Sequence, residues 1–508
     1  MLSKTLLIVG LVISLMACQD EQLEVDETLG GQKVPKGIAA PLSKVEYQNL
    51  SVEKQYQTAN KLASTLFKGV PADEFFNFNT YDKSLAVTDS GSEFIVDTRK
   101  NLSVKLKNKD LYTNAVEQRH SFSSETRRSK GQPLAAITEY PISRDQFEAW
   151  MAYVLANTIL FSPAEEIDTA NYIDVDRIYD GLSKAMSEDV SIRDIIYAHM
   201  KSEANWRRFR SPEDNTREMI EIYLGLFDRD EDVPKASIAC KNYSLTDANN
   251  DARYRLKVDF DQQNTVPQNV LGSWITTCDD FFQLISNHAL VIPRMTTYLV
   301  DCFFPTAPAA TRSAIVADIV ATNPVRFHDI FTAIIFSKEY LMNTEKPKSF
   351  EETFFNLASR IDWRARTNFL NQLVEDGGTN PNLRNMNQPA MTLKLGRFMG
   401  QPLDSLSFAY YHKAVRERLF TKTNGGWGAW GAEFRRKGDL FSLEEYVHFL
   451  FLSTLSRKAT QEELDVLVQL FVDTENETDR NDQAIIVFDY ISRLPELYYF
   501  KAITTGDA

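Results

Sequence analysis

The sequence predicts a mainly α fold: a multi-helix body with a small mixed, β-containing N-terminal part. From Pro141 almost to the end, apolar residues recur at helical spacing. Ser143 and Gln146 have capping-box spacing, and the stripe that begins at Phe147 follows them at once. With 43% apolar and 11% aromatic residues, the chain can also bury a large core.

Residues 1–17 have the pattern of a signal peptide, with Lys4 before an apolar run that is too short to span a bilayer. Leu15-Met16-Ala17-Cys18 resembles the bacterial lipobox, which predicts cleavage before Cys18 and acylation of that residue, with palmitate among the acyl groups. The alternative is an ordinary secretory signal that contains a cysteine. Several acyl chains on Cys18 would hold the protein to a membrane, and Gln19 favours the outer membrane, facing the periplasm.

The acidic composition argues against nucleic acid as a partner. The formal net charge is −14, and no basic patch offsets it. No further apolar run after the signal peptide approaches membrane-spanning length. No cofactor is predicted, because zinc, thioredoxin, haem, phosphate-loop and dinucleotide motifs are missing, and the six histidines show no metal-binding spacing.

The organisation along the chain follows from composition and periodicity. The predicted parts are a signal peptide (1–17), a flexible tether (18–45), an N-terminal helix and mixed region (46–140), a central helical domain (141–435) and a C-terminal helical segment (436–508). Within the mixed region we expect a helix over 51–67, a short hairpin within 92–107 and a polar loop over 108–135. Later helices are predicted near 173–186, 190–202, 212–228, 232–242, 277–289, 294–304, 310–321, 325–336, 348–359, 388–400, 405–419, 442–455, 460–473 and 482–493.

The segment 210–228 concentrates charged residues that are candidates for catalysis. Ser211 can cap a helix, Pro212 suits its first position, and Glu213 and Asp214 meet the positive end of the helix dipole. Arg217, Glu218 and Glu221 follow, and Arg217 and Glu221 are spaced to pair. We therefore favour capping and an ion pair, and keep open an acid site that also includes Asp232.

The same region resembles a bacterial family. "TREMIEIYLGLFD" (216–228) and "EDVPKASIACKNYSLT" (231–246) resemble the signature of the secreted domain-of-unknown-function family eighteen-hundred. Its A-R-E-x-x-E motif is matched by Arg217, Glu218 and Glu221. Its D-V-x-x-A-A motif is matched at Asp232, Val233 and Ala236. Weaker fragments follow the family order, among them "VLG" (270–272), "KPKSFEE" (346–352) and "MGQPL" (399–403).

Two departures reduce what the resemblance implies. No His-Asp pair precedes 270–272, and Asp301 stands where the family has a lysine. The resemblance implies a helical envelope protein, often encoded beside a sulfatase-like partner, and no established activity. A C-terminal stretch (449–500) also resembles the last helices of envelope families associated with cytochromes, without a haem motif.

Three cysteines remain after Cys18, and an exported chain favours a disulfide. Cys278 and Cys302 flank a predicted helical hairpin that turns near residues 290–293, so two antiparallel helices would set them opposite each other. The alternative is two buried thiols. Cys240 is then left over and is assigned to the core.

The loop 423–434 places Trp427 and Trp430 among four glycines, which suits sugar stacking, partner docking or a plug for an apolar gap.

Three functions follow as expectations. The favoured one is an outer-membrane-anchored periplasmic lipoprotein that serves as an accessory or docking protein for an envelope partner, such as a sulfatase-like protein. The alternatives are a periplasmic hydrolase or redox-associated enzyme using Arg217, Glu218, Glu221 and Asp232, and a glycan-binding envelope protein using Trp427 and Trp430.

Overall fold

Helices make up most of the described chain, which confirms the mainly α class. The computed structural model describes residues 28–29, 32–76, 87–120, 125–160, 172–246, 255–361, 363, 369–374, 382–383, 385–386, 388, 404–419, 441–475 and 478–503. The helices are α1 (Lys44–Gln48), α2 (Val52–Thr65), α3 (Ala72–Phe75), α4 (Asp89–Asn101), α5 (Lys109–Arg119), α6 (Glu125–Glu139), α7 (Arg144–Ala156), α8 (Tyr172–Ser187), α9 (Ile192–Met200), α10 (Glu203–Arg208), α11 (Pro212–Leu224), α12 (Val233–Ala239), α13 (Cys278–Asn287), α14 (Val291–Phe303), α15 (Ala309–Val320), α16 (Phe327–Ile335), α17 (Phe350–Arg360), α18 (Phe369–Val374), α19 (Ser405–Leu419), α20 (Leu443–Leu455), α21 (Gln461–Asp473) and α22 (Arg480–Ile491).

The strands are short and form two-stranded antiparallel ladders. They are β1 (Thr28–Leu29) with β2 (Gln32–Lys33), β3 (Tyr243–Thr246) with β4 (Arg255–Val258), β5 (Gln268–Val270) with β6 (Ser273–Ile275), and β7 (Lys346–Pro347) with β8 (Tyr499–Phe500). Three of these ladders join segments close in sequence. The β7–β8 ladder instead pairs Lys346 with Phe500, and so ties the end of the chain to its middle.

The core is organised around helices that are buried on nearly every side. In α7, every residue after Arg144 is buried, including the predicted stripe of Phe147, Trp150, Met151 and Val154. Trp150 stacks on Phe147 and meets the edge of Phe331 from α16. Helices α2 and α17 are almost as enclosed and pack against each other. Their fully buried aromatic and aliphatic side chains contribute hydrophobic stabilisation.

Most helix predictions correspond to observed helices, with ends shifted by a few residues. The Ser143 hydroxyl accepts a hydrogen bond from Gln146 N, as its capping role predicts. The Gln146 side chain, however, donates to the carbonyl oxygen of Leu66 instead of closing the capping box. The predicted helix over 388–400 lies almost entirely outside the described residues.

The predicted hairpin within 92–107 is wrong, because most of this segment belongs to α4. Thr88 caps the helix by accepting from Gly91 N at 3.0 Å. Ile95, Thr98 and Leu102 form a buried stripe at spacings of three and four residues, whereas Val96 is exposed. The apparent alternation of this segment is therefore part of a helical period.

The predicted loop over 108–135 is also wrong, because α5 occupies part of it and α6 begins at Glu125. The segment is polar, and among its described residues Val116, His120, Leu134 and Ala135 are buried and form its inner face. Tertiary packing of this kind overrides a weak local signal.

Candidate functional site

The start of α11 is a fully formed helix cap. Ser211 Oγ accepts a hydrogen bond from Asp214 N at 3.1 Å, and Pro212 occupies the first turn. Gly225, with φ of 70°, ends the helix earlier than the predicted residue 228. Met219, Ile220 and Tyr223 are buried on the inner face of the helix, whereas Phe227 lies beyond the helix end and is exposed. The left-handed conformation at residue 225 favours glycine.

The guanidinium group of Arg217 is engaged at the surface. Its Nη1 donates to Asp230 Oδ1 at 2.6 Å, and Nη2 lies 3.6 Å from Glu213 Oε1. Arg217 therefore pairs with Asp230, where the chain folds back, and with Glu213, one helical turn earlier, instead of with Glu221 as predicted. Asp230 is largely exposed, so this pair braces the surface and contributes little stability.

The carboxylates of Glu218 and Asp232 lie in different surroundings from the guanidinium group of Arg217. Burial raises the pKa of the Glu218 carboxyl, and Arg208 partly offsets that effect. Asp232 is buried, and its Oδ1 accepts from Leu271 N at 3.0 Å. Leu271 and Gly272 both have positive φ, 50° and 77°, in the turn between β5 and β6. Asp232 therefore holds a strained turn, and the two segments that resemble family motifs, 231–246 and 270–272, meet here.

A disulfide closes the segment between α12 and α13. It joins Cys240 to Cys278, so the predicted pair of Cys278 and Cys302 is wrong. Cys302 is a buried thiol on the face of α14 that points towards Trp150, Lys346 and Glu352. The expected hairpin of α13 and α14 does form, but its two cysteines face different neighbours. Burial raises the pKa of the Cys302 thiol to about 12, which makes it a poor nucleophile.

Several sequence predictions fall on residues that the structure does not describe. They are the signal peptide, the lipidation residue Cys18, and the two tryptophans Trp427 and Trp430. Among the described helices, none is both long and apolar enough to cross a bilayer. In the same residues, no group of three or more His, Cys, Asp or Glu is placed to hold a metal ion.

One concave site on the described chain was not predicted from the sequence. This cationic pocket has a volume of about 280 Å³ and lies where α2, α17, the end of α20 and the C-terminal residues meet. Its charged lining residues are Lys61, Lys348, Arg360, Arg457, Lys501 and Glu496. Five cations thus face one carboxylate, on a chain whose overall charge is −14.

The two arginines of the cationic pocket are already bonded to protein. Arg360 is buried, and its guanidinium donates to the carbonyl oxygens of Thr454 and Leu452 at the end of α20. Arg457 binds Glu463 at 2.8 Å and also pairs with Glu496. Both side chains therefore set the shape of the wall, and Arg360 donates to backbone carbonyl oxygens in the last turn of α20.

The two inner lysines have fewer partners. Lys61 Nζ donates to Thr344 O at 2.7 Å, and Lys348 Nζ donates to Leu497 O at 3.0 Å. Both ammonium groups also lie over the ring of Phe500, at 5.8 and 5.2 Å from its centroid. Burial lowers the pKa of each lysine to about 7, and neighbouring cations add to the effect. The ring face compensates only part of the lost hydration.

A buried ion pair supports the pocket from behind. Lys346 Nζ donates to both carboxylate oxygens of Glu352, at 2.7 and 2.9 Å. Glu352 also closes a capping box with Ser349 at the start of α17. Because Lys346 belongs to β7, this pair fixes the ladder that brings Phe500 beneath the lysines.

A second cavity, of about 370 Å³, lies between α8, α9 and α10 and has a mainly apolar lining that includes Leu182, Ile195 and His199. Burial lowers the pKa of His199 to about 4, so this imidazole is neutral at pH 7. Neither this cavity nor the cationic pocket is lined by Arg217, Glu218, Glu221 or Asp232.

Comparison of the chain with models of protein families, with curated proteins and with solved structures yields no match. The fold and the site geometry thus define a mainly helical, disulfide-containing protein with a cationic pocket, and the family resemblance of the sequence stays a prediction.

Proposed function

We propose that this protein is a lipid-anchored envelope protein that acts by docking a partner protein. The anchor is Cys18, exposed by signal cleavage and acylated, and the helical body faces the periplasm from the outer membrane. Docking is favoured over chemistry because the residues nominated for catalysis do not share one site: Arg217 pairs with Asp230 at the surface, and Asp232 holds the turn at Leu271.

The exposed apolar side chains of the disulfide-closed segment (240–278) carry the docking proposal. Phe260 is 76% exposed, Trp274 is 73% exposed and Val266 is 61% exposed. The Cys240–Cys278 bond and the Asp232 contact hold this segment in place. Exposed aromatic residues on a preorganised support are typical anchors of protein interfaces, since little conformational entropy is lost on binding.

The charged side chains exposed in the disulfide-closed segment are of both signs. Asp261 is acidic, and Lys241, Arg255 and Lys257 are basic. The exposed apolar side chains therefore define the contact, and the partner's surface should offer an apolar recess for Phe260 and Trp274. A sulfatase-like envelope protein is the partner class that the family resemblance implies.

The docking test uses photo-crosslinking in intact cells. A photoreactive amino acid at position 274 should trap one discrete partner, and the change Phe260→Ser should reduce that product at least several-fold. The matched control is the same photoreactive group at Leu406, which is similarly exposed but far along the chain. Equal products from both positions, or none from position 274, would refute docking at this segment.

The anchor is tested separately by labelling with radioactive palmitate. The wild-type chain should incorporate label and fractionate with membranes, whereas Cys18→Ser should do neither. Label retained in Cys18→Ser would refute the proposed anchor without affecting the docking proposal.

A further inference from the structure

We propose that the cationic pocket binds a small molecule through an oxyanion, with Lys61 and Lys348 as the groups that hold the charge. The proposal goes beyond docking and involves a different surface, since the pocket lies at α2, α17 and the C-terminal residues.

The first argument is unused hydrogen-bonding capacity. An ammonium group has three donors. Within the described part of the chain, Lys61 Nζ and Lys348 Nζ each have one hydrogen-bond acceptor, a backbone carbonyl oxygen. Two donors on each lysine are therefore free for a ligand in the pocket that both residues line.

The second argument is the imbalance of charge in the wall. Arg457 and Lys501 share Glu496, and Arg457 also uses Glu463. Lys346 and Glu352 neutralise each other behind the wall. Lys61 and Lys348 are in direct hydrogen-bond contact with none of these carboxylates. A concave, weakly hydrated site with surplus positive charge concentrates anions.

The third argument is energetic. Placing an ammonium group in a poorly hydrated site without a carboxylate partner destabilises a fold. Lys61 is only 4% exposed, so its charge is poorly compensated by water. An oxyanion bound between Lys61 and Lys348 would supply the missing acceptors and restore the charge balance. Ligand binding therefore explains why two lysines without carboxylate partners lie here, whereas a purely structural role does not.

The size and lining of the pocket restrict the ligand. A volume of about 280 Å³ holds an oxyanion together with a small attached group. Asn60, Ser64 and Asn356 add neutral polar side chains to the wall, and Tyr499 lies exposed at the C-terminal side. Lysines bind phosphate and sulfate as point charges, and a carboxylate offers the same oxyanion chemistry.

The test is titration calorimetry of the purified protein at pH 6, below the pKa of about 7 of both lysines, with inorganic phosphate, sulfate, acetate and succinate. We expect saturable one-to-one binding of at least one anion, weakened at least tenfold in the double variant Lys61→Met/Lys348→Met. Lys413→Gln removes a charge from an exposed pair outside the pocket and should change the Kd less than twofold. Tighter phosphate or sulfate assigns a tetrahedral oxyanion, and tighter succinate assigns a carboxylate ligand.

Circular dichroism and cooperative unfolding show whether the double variant folds. If it does not, Lys348→Gln alone serves, because Lys348 is only half-buried. Binding that is the same in wild type and in a folded lysine variant would overturn the proposal. So would wild-type protein that gives no saturable binding with any of the four anions.

Discussion

At the residue scale, the lysines of the cationic pocket give the fold a pH dependence. Burial lowers the pKa of Lys61 and of Lys348 to about 7, and Lys68 behaves alike. The unfolded lysine has a pKa of about 10.4. Above pH 7 the unfolded chain therefore holds protons that the folded chain has released, and the free energy of unfolding rises with pH.

The charged groups around these lysines modify that effect without reversing it. Those acting on Lys61 or Lys348 are Glu339, Glu345, Lys346, Glu352, Arg360 and Glu496, together with each other. The carboxylates raise the pKa of the lysines and the cations lower it, while burial remains the largest influence.

We predict that the free energy of unfolding of the wild-type protein increases between pH 7 and pH 8.5. Urea unfolding at several pH values measures it. Lys61→Met/Lys348→Met should start more stable at pH 7 and increase less, because it lacks two of the lysines that release protons in this range. Parallel pH curves for wild type and double variant would contradict the assignment.

The residues of the predicted acid site show which contacts can be predicted from neighbouring residues in the sequence and which cannot. The cap at Ser211 depends on neighbours within one helical turn, and it is confirmed. The partner of Asp232 is Leu271, 39 residues away. Spacing along a helix holds no information about such a contact, which explains why Asp232 was a candidate for catalysis when it stabilises a turn.

At the element scale, the disulfide determines how the β3–β4 and β5–β6 ladders attach to the helices. Cys240 follows α12 and Cys278 begins α13, with 38 residues of sequence separation. A cross-link of that loop length restricts the unfolded chain by roughly 4 kcal/mol in the chain-entropy description. The bond also holds the segment that carries the exposed Phe260 and Trp274.

We predict that Cys240→Ser/Cys278→Ser lowers the free energy of unfolding by about 2–4 kcal/mol, measured by urea unfolding. Cys302→Ala is the matched control and should cost about 1 kcal/mol or less, because it removes one buried sulfur atom without a cross-link. Peptide mapping without reductant should recover Cys240 linked to Cys278. A recovered link to Cys302 would contradict the structure.

Elements differ in how strongly their own sequence specifies them. Capped, amphipathic segments such as 442–455 and 460–473 are predicted almost to the residue, because both ends and the buried face are encoded locally. The segment 92–107 combines a helical stripe with partial alternation, so the period is ambiguous over a short window. The polar segment 108–135 is helical where its few apolar residues pack against the core.

At the scale of the whole molecule, the C-terminal residues complete both the core and the cationic pocket. Phe500 is buried, pairs in β8 with Lys346 of β7, and lies beneath Lys61 and Lys348. Ile503 N donates to Met342 O. The middle and the end of the chain therefore form one structural unit around α17.

We predict that a chain ending at Tyr498 is destabilised by at least about 3 kcal/mol, the usual cost of removing a buried phenylalanine, and loses anion binding. Thermal unfolding and calorimetry measure the two effects. A chain ending at Ile503 keeps β8 and should match the full-length protein in both. Anion binding that survives truncation at Tyr498 would contradict the described pocket.

The sequence by itself determined what depends on neighbouring residues: the helical class, most helix boundaries, the cap at Ser211 and the presence of cysteines able to pair. The tertiary structure alone decided what depends on distant residues: the Cys240–Cys278 bond, the contact of Asp232 with Leu271, and the lysines gathered from α2 and the region before α17. Helix formation is a local equilibrium with a recognisable period, whereas the convergence of side chains on a site depends on how whole elements pack.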